Sequence, residues 1–240
     1  MPKSNFLDNP DIISVFSNRC NGNMSLSYGD TKDSLDNRKR FLKRLGIDYK
    51  DLVCAKQIHS NRVEYIKESD RGRGAVSSED AIDDTDGLIS GRSNLALAIF
   101  TADCLPVFLY DAKTPAIGMI HAGWRSSKEQ ISAKAVESMQ QRFGTRLGDL
   151  YVYFGPCIRN CCNQVGEEFK QYFGDDLINR DNRYYLDLAS VNKKQLLDAG
   201  LKENNLLDSG FCTFCGNEEF FSYRREEESS GRMISVIMLK

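Results

Sequence analysis

Histidine is scarce in this chain: two in 240 residues, beside a single tryptophan and five prolines. Two imidazoles allow one site built on histidine and little more. Long apolar runs are also missing. The longest, Leu95 to Phe100, is strand-sized and far short of the roughly 20 residues a membrane helix needs, so no membrane partner is expected. Net charge is −2, and without a basic excess no nucleic-acid surface is expected. The opening residues Met-Pro-Lys-Ser-Asn hold no apolar signal core. That argues against export and for a cytoplasmic protein. No internal repeat or low-complexity tract is visible.

What is present is an ordinary globular composition, 41% hydrophobic and 28% charged, on a chain near the upper length of one compact domain. One domain over residues 1–240 is expected. β-Branched and aromatic runs bounded by turn residues predict strands at 52–58, 62–66, 95–100, 107–110, 116–120, 151–154 and 233–239. Helices are predicted between them. Leu35, Arg38, Phe41, Leu42 and Leu45 share one stripe that Gly46 can end. Ile131, Ala135, Met139 and Phe143 share another, with Ser126 and Ser127 as its caps and Gly144 after it. Two more run from Val165 to Phe173 and from about Ser190 to Ala199. The stretch Arg71 to Asp86 is polar and Gly-rich and reads as a long surface loop. Loose alternation of strands and helices gives an α/β class with mixed sheets.

Three reactive side chains each follow a predicted strand: His59 in K-Q-I-H-S, Cys104 in F-T-A-D-C-L-P and His121 in M-I-H-A-G-W-R-S-S. Strand ends in α/β sheets open onto the crevice where ligands bind. If the strands are neighbours, the three groups converge. Two neutral imidazoles and a thiolate make a sensible zinc site, and three protein ligands leave a fourth position for water or substrate, the catalytic pattern. Asp103 is placed to orient a ligand or move a proton. A metal-free Cys104–His nucleophilic pair stays open beside this reading. After His121, Arg125, Ser126 and Ser127 stand where a turn enters a helix. Free N–H groups and a guanidinium fork there would suit an anion. Trp124 is placed to stack on a flat substrate, or simply to pack.

Eight cysteines in a chain without a signal core point to metal, catalysis or packing rather than disulfides. Cys157, Cys161 and Cys162, with Cys212-x-x-Cys215 further on, could form a structural zinc site. Only one pair has the C-x-x-C spacing, so buried free thiols are expected. The run Arg224, Arg225, Glu226, Glu227, Glu228 reads as a solvated turn.

F-T-A-D-C-L-P-V, H-A-G-W-R, G-P-C-I-x-x-C-C with V-G-E-E-F, S-x-x-C-T-x-C, and F-F-S-Y-R-R with G-R-M, in that order, together resemble the YfiH-like, or laccase-domain, family. The matching motifs run from about Lys56 to the C-terminus. Before that, Arg19 is followed by C-N-G-N-M-S-L-S, where family members commonly carry Gly-Gly-Val-Ser. The resemblance implies one domain with an α/β/β/α layered sandwich. It implies that His59, Cys104 and His121 stand at the positions of the family's catalytic zinc ligands. Members are described as purine nucleoside phosphorylases that split adenosine, inosine or methylthioadenosine with phosphate, and as deaminating adenosine. Older descriptions make them copper-dependent polyphenol oxidases.

The residues bear on that choice. Phosphorolysis needs phosphate held beside the ribose, which the Arg125 segment suits. Deamination needs an activated hydroxide and a proton-carrying carboxylate, for which Asp103 is the candidate, but the H-x-E and P-C-x-x-C signature of cytidine-type deaminases is absent. Phosphorolysis is the first expectation. A four-copper laccase centre would need far more than two imidazoles. A single copper at the same three ligands, oxidising phenols, is the alternative, because copper(II) outcompetes zinc at most N/S sites. Remaining readings are a Cys104 amide hydrolase acting on peptidoglycan precursors and a non-catalytic binding module.

Overall fold

The computed structural model describes residues 10–240; the polar opening residues 1–9 lie outside them. In chain order its strands are β1 (Ile12–Phe16), β2 (Leu52–Cys54), β3 (Val63–Tyr65), β4 (Gly87–Ser90), β5 (Ala96–Thr101), β6 (Leu105–Asp111), β7 (Ala116–Ala122), β8 (Leu150–Phe154), β9 (Gln164–Val165), β10 (Leu177–Arg180), β11 (Arg183–Leu186), β12 (Leu206–Asp208) and β13 (Met233–Leu239). The helices are α1 (Thr31–Lys43), α2 (Trp124–Lys128), α3 (Ile131–Phe143), α4 (Lys170–Phe173), α5 (Leu188–Asp198) and α6 (Tyr223–Glu226).

Two mixed sheets pack face to face, a four-stranded one in the order β1-β13-β5-β2 and a six-stranded one in the order β12-β8-β6-β7-β4-β3. Their inner faces meet through Val53, Leu97, Ile99 and Ile237 on one side and Phe108, Ile117 and Met119 on the other, all essentially inaccessible. Strands sandwiched in this way lose the polar–apolar alternation of a half-exposed sheet. All seven residues of β6, β7 and β13 are buried. The outer faces are covered by helices. α1 lays Phe41 and Leu42 on the four-stranded sheet, and α3 with α5 lays Ile131, Val136, Met139, Val191 and Leu196 on the six-stranded one. This is the expected α/β/β/α layering. A small antiparallel sheet, β10-β11-β9, stands apart from both.

Several predicted elements change. The predicted strand 52–58 stops at Cys54, after which the backbone turns through His59, which has a left-handed φ of 63°. The predicted helix 165–173 is instead β9, a 3-10 turn and the single turn α4. Ser126 and Ser127 do not cap α3. They lie within α2, and α3 is preceded by Gln130, whose φ of 61° reorients the chain with no side-chain cap. α5 is capped by Asp187, which accepts from the Ala189 and Ser190 amides. β4 falls in a stretch where no strand was expected, and it places the site.

Candidate metal centre

The chain passes four times between the two sheets, and both crossings from the four-stranded to the six-stranded sheet carry a reactive side chain. Leaving β2 of the four-stranded sheet for β3 of the six-stranded one, it presents His59. Leaving β5 for β6, it turns sharply at Asp103, whose φ is 89°, and presents Cys104. Left-handed backbone at two non-glycine residues is locally unfavourable and persists only where neighbours hold it. Here they do. The Asp103 carboxylate accepts from the Thr213 hydroxyl at 2.6 Å and from the Arg224 amide at 2.7 Å. His121 comes from β7, which runs antiparallel to β6 with Leu105 opposite Ala122 and Pro106 opposite His121. Antiparallel register therefore does the joining: the start of β6 meets the end of β7. The sequence predicts all three residues just after strands; His121 instead lies within β7, one residue before its end.

The potential donor atoms of His59, Cys104 and His121 all lie within 4.8 Å of one another. Cys104 Sγ is 3.9 Å from His59 Nε2, close to the roughly 3.3–3.8 Å that tetrahedral zinc–nitrogen and zinc–sulfur bonds impose between ligand atoms. The imidazole rings stand edge to face with centroids 4.8 Å apart. Gly123 makes the approach possible: a Cβ there would lie 2.8 Å from His59 Cδ2 and 3.1 Å from Cys104 Sγ. The glycine of H-A-G-W-R is thus a space requirement.

The organising carboxylate is Asp86, at the entry to β4. It is fully buried and accepts from the amides of Ile58, His59 and Ser60 and from the Ser60 hydroxyl at 2.7–3.2 Å. It also pairs with His121 Nδ1 at 2.7 Å. One carboxylate thus fixes the His59 turn and orients the other imidazole. Because a carboxylate only accepts, Nδ1 carries the hydrogen and Nε2 is the nitrogen left for a cation. The carboxylate that contacts the histidines is Asp86, where the sequence pointed to Asp103. The polar stretch 71–86 is no mere surface loop: it ends buried, at Thr85 and Asp86. The Asp-Gly step before an apolar run was the only trace of this in the sequence.

Electrostatics follow the geometry. Burial alone would raise the Cys104 thiol, but the charge of His121 and hydrogen bonds from His121 and His59 outweigh it and lower the pKa to about 6. Burial likewise opposes a charged His121, yet Cys104 and Asp86 raise it to about 9. For Asp86 the burial penalty is outweighed by hydrogen bonds from His121 and Ser60, which hold it below the usual carboxylate range. Both shifts favour a thiolate beside an imidazolium, and a divalent cation would replace the imidazolium proton. Two nitrogens and a thiolate suit zinc and copper(II) alike.

These donors line a cavity of about 660 Å³, within the size range of small-molecule sites. Trp124 and Arg125 line it too. Trp124 is half-buried and packs on Phe169 at 5.0 Å between ring centroids, with the Arg125 guanidinium 4.3 Å above its ring. Ser126 and Ser127 do not reach the cavity. Both are fully buried, Ser126 donating to the carbonyls of His121 and Gly123 and Ser127 accepting from Asn192. They pin α2 to β7 and α5. The charged run at the C-terminal side is not simply a solvated turn either. Arg224 and Glu228 line the cavity, and the Arg224 side chain donates to Gln164 and Asn163. Of the five cysteines expected as buried free thiols, only Cys157 is buried; Cys161 and Cys215 are exposed.

Residues 16–240 match the family model described as "Multi-copper polyphenol oxidoreductase laccase". The chain belongs to that family. Its curated relatives include the "Purine nucleoside phosphorylase YlmD" of Bacillus subtilis, 32% identical over 87% of this chain and 78% of the relative. Another is the "Adenosine deaminase RL5" of an unknown prokaryotic organism, 32% identical over 86% of this chain and 82% of the relative. Among solved structures, YlmD from Geobacillus stearothermophilus superposes with a TM-score of 0.92 at 30% identity, covering 96% of this chain and 93% of that one. No helix of the described residues is long and apolar enough to cross a membrane.

Proposed function

We propose that this chain is a purine nucleoside phosphorylase dependent on zinc held by His59, Cys104 and His121, splitting adenosine, inosine or methylthioadenosine with phosphate. Adenosine deamination is a secondary activity of the same site. The names of the relatives support the substrate class. The observation that carries the choice of phosphorolysis is the state of the cavity's cations. Arg38 is buried and donates to the Met24, Gly74 and Ala75 carbonyls. Lys56 faces Asp83, Arg224 is bound to Gln164 and Asn163, and Arg232 to the Ser230 and Gly231 carbonyls. Among the described residues, Arg125 is the lining cation with no hydrogen bond or ion pair of its own, and it sits four residues from His121. Its fork is available to a phosphate.

In this reading Arg125 holds phosphate and Trp124 offers a face to the purine. A hydrogen phosphate oxygen attacks ribose C1′ while the bond to the purine nitrogen breaks, and the base leaves with that electron pair and takes up the proton the phosphate gives up. When bound, zinc would supply a Lewis acid that stabilises negative charge developing in the reaction. Asp86 keeps His121 in the required tautomer. Both oxygens of Asp103 are already engaged by Thr213 and Arg224, which leaves it a positioning role and makes it a poor proton carrier for deamination.

The test is direct. The purified protein is incubated with adenosine, with and without phosphate, beside Cys104→Ala, and its metal content is measured. Phosphate-dependent adenine and ribose 1-phosphate, lost in the variant, support phosphorolysis. Inosine as the main product would make deamination the primary activity. Phenol oxidation that tracks copper and exceeds nucleoside turnover would replace this reading by a single-copper oxidase. A multicopper centre is excluded by the two histidines of the chain. Amide hydrolysis inhibited by metal would make the Cys104 thiolate a nucleophile.

A further inference from the structure

Away from the histidines, four more sulfurs converge. Cys161 Sγ lies 3.6 Å from Cys212 Sγ and 3.7 Å from Cys215 Sγ, and Cys162 Sγ lies 3.3 Å from Cys215 Sγ. All four are within 4.8 Å of one another, and all are free thiols. We propose that Cys161, Cys162, Cys212 and Cys215 form a second metal centre, a closed four-thiolate site that takes one zinc ion.

The spacing is that of a mononuclear site. Zinc–sulfur bonds of about 2.3 Å in a tetrahedron put ligand sulfurs about 3.8 Å apart. A polynuclear iron–sulfur cluster, with its thiolates on separate irons, would hold them further apart. The backbone brings the two segments together without help from a metal: the Cys157 amide donates to the Phe211 carbonyl and the Thr213 amide to the Cys157 carbonyl. Cys212-Thr213-Phe214-Cys215-Gly216 closes as a tight turn, with the Gly216 amide 2.9 Å from the Cys212 carbonyl. The amides of Cys215, Arg159 and Phe214 point at the Cys212 sulfur, as donors that favour its thiolate. Four thiols at a partly exposed corner repel one another once ionised, and a divalent cation relieves that repulsion.

Four protein ligands leave no open position, so the centre is structural. It ties the loop after β8 to the loop after β12. Both loops reach the cavity wall: Ile158 and Asn163 line it, and Thr213 holds the Asp103 turn beside Cys104. The ion would therefore stiffen one wall of the site while taking no part in chemistry.

The experiment reads metal, not turnover, so its failure is separate from failure of the nucleoside reading. The protein carrying Cys104→Ala is purified under reducing conditions, its zinc is counted per chain, and the zinc is then exchanged for cobalt(II). One retained zinc per chain, and a cobalt spectrum with the strong thiolate charge-transfer bands of a tetrahedral four-sulfur site, are expected. Adding Cys161→Ser and Cys215→Ser should abolish both. Should that triple variant fail to fold, a mercurial titration of Cys104→Ala gives the same answer, with one zinc released as the four corner thiols are modified in addition to the exposed Cys20. A Cys104→Ala protein that holds no zinc, a cobalt spectrum lacking four-thiolate intensity, or recovery of these cysteines as disulfides would overturn the proposal.

Discussion

Two clusters of side chains that could hold a metal ion sit in one molecule and differ in almost every respect that matters. The His59–Cys104–His121 group has three donors, lies at a cavity, and is held by a buried carboxylate that contacts two of its three members through backbone or ring. The Cys161–Cys162–Cys212–Cys215 group has four sulfurs, lies at a partly exposed corner, and has backbone amides at its Cys212 sulfur in place of a carboxylate. Donor number decides openness, and openness decides whether an ion can meet a substrate. The carboxylate matters for a second reason. Imidazole must be held in one tautomer and one orientation, which takes a directional partner, whereas a thiolate is satisfied by several amides at once.

The contrast can be broken or sharpened by substitution. The largest effect is expected from Cys104→Ala, which should lower nucleoside kcat/KM by about 10³-fold or more, at least 4 kcal/mol of transition-state stabilisation. Steady-state kinetics with metal analysis would show whether activity and one ion are lost together. Gly123→Ala comes next. Its Cβ would lie 2.8 Å from His59 Cδ2, and displacing that ring by a fraction of an ångström should cost about 10²-fold in activity, with weaker metal retention on dialysis. Asp86→Asn keeps the shape but loses the charge facing His121. A 10–100-fold fall in metal affinity is expected, measured by competition with a chelator. Asp103→Asn should leave that affinity unchanged, and an equal loss in both would show that the two carboxylates share the work.

Arg125→Ala should do least to the metal and most to one substrate. A rise of about tenfold in KM for phosphate, about 1.4 kcal/mol of a charge-assisted hydrogen bond, is expected with metal content and nucleoside KM unchanged. Equal changes in both KM values would remove Arg125 from the anion site. None of these five substitutions should alter the thiol count or cobalt signature of the cysteine corner, which is the sharpest statement of the independence of the two clusters.

How much of this could be read beforehand varies with the kind of interaction. β13 was legible to the residue, and β6, β7 and β8 to within two residues at each end, because long buried strands leave continuous apolar runs. Short elements were not. β9 and α4 hide inside a stretch whose apolar spacing imitates one helix, and Gln130 breaks what looked like a cap with a left-handed residue no propensity anticipates. Asp86 was invisible for another reason: its partners, at Ile58 to Ser60 and at His121, lie 26–35 residues away in sequence, and the value of a buried acceptor depends wholly on which donors surround it.

The chain by itself determined the chemistry available: two imidazoles and eight thiols, too few histidines for a multicopper cluster, and apolar runs long enough for two stacked sheets. These follow from composition and local pattern, which do not depend on what is nearby. Tertiary structure alone decided which sulfur joined the imidazoles, which carboxylate held them, and which cavity-lining arginine of the described residues was left without a hydrogen bond or ion pair. Each of those is a matter of distance between segments remote in sequence, and a few ångströms separate a ligand from an ordinary buried side chain.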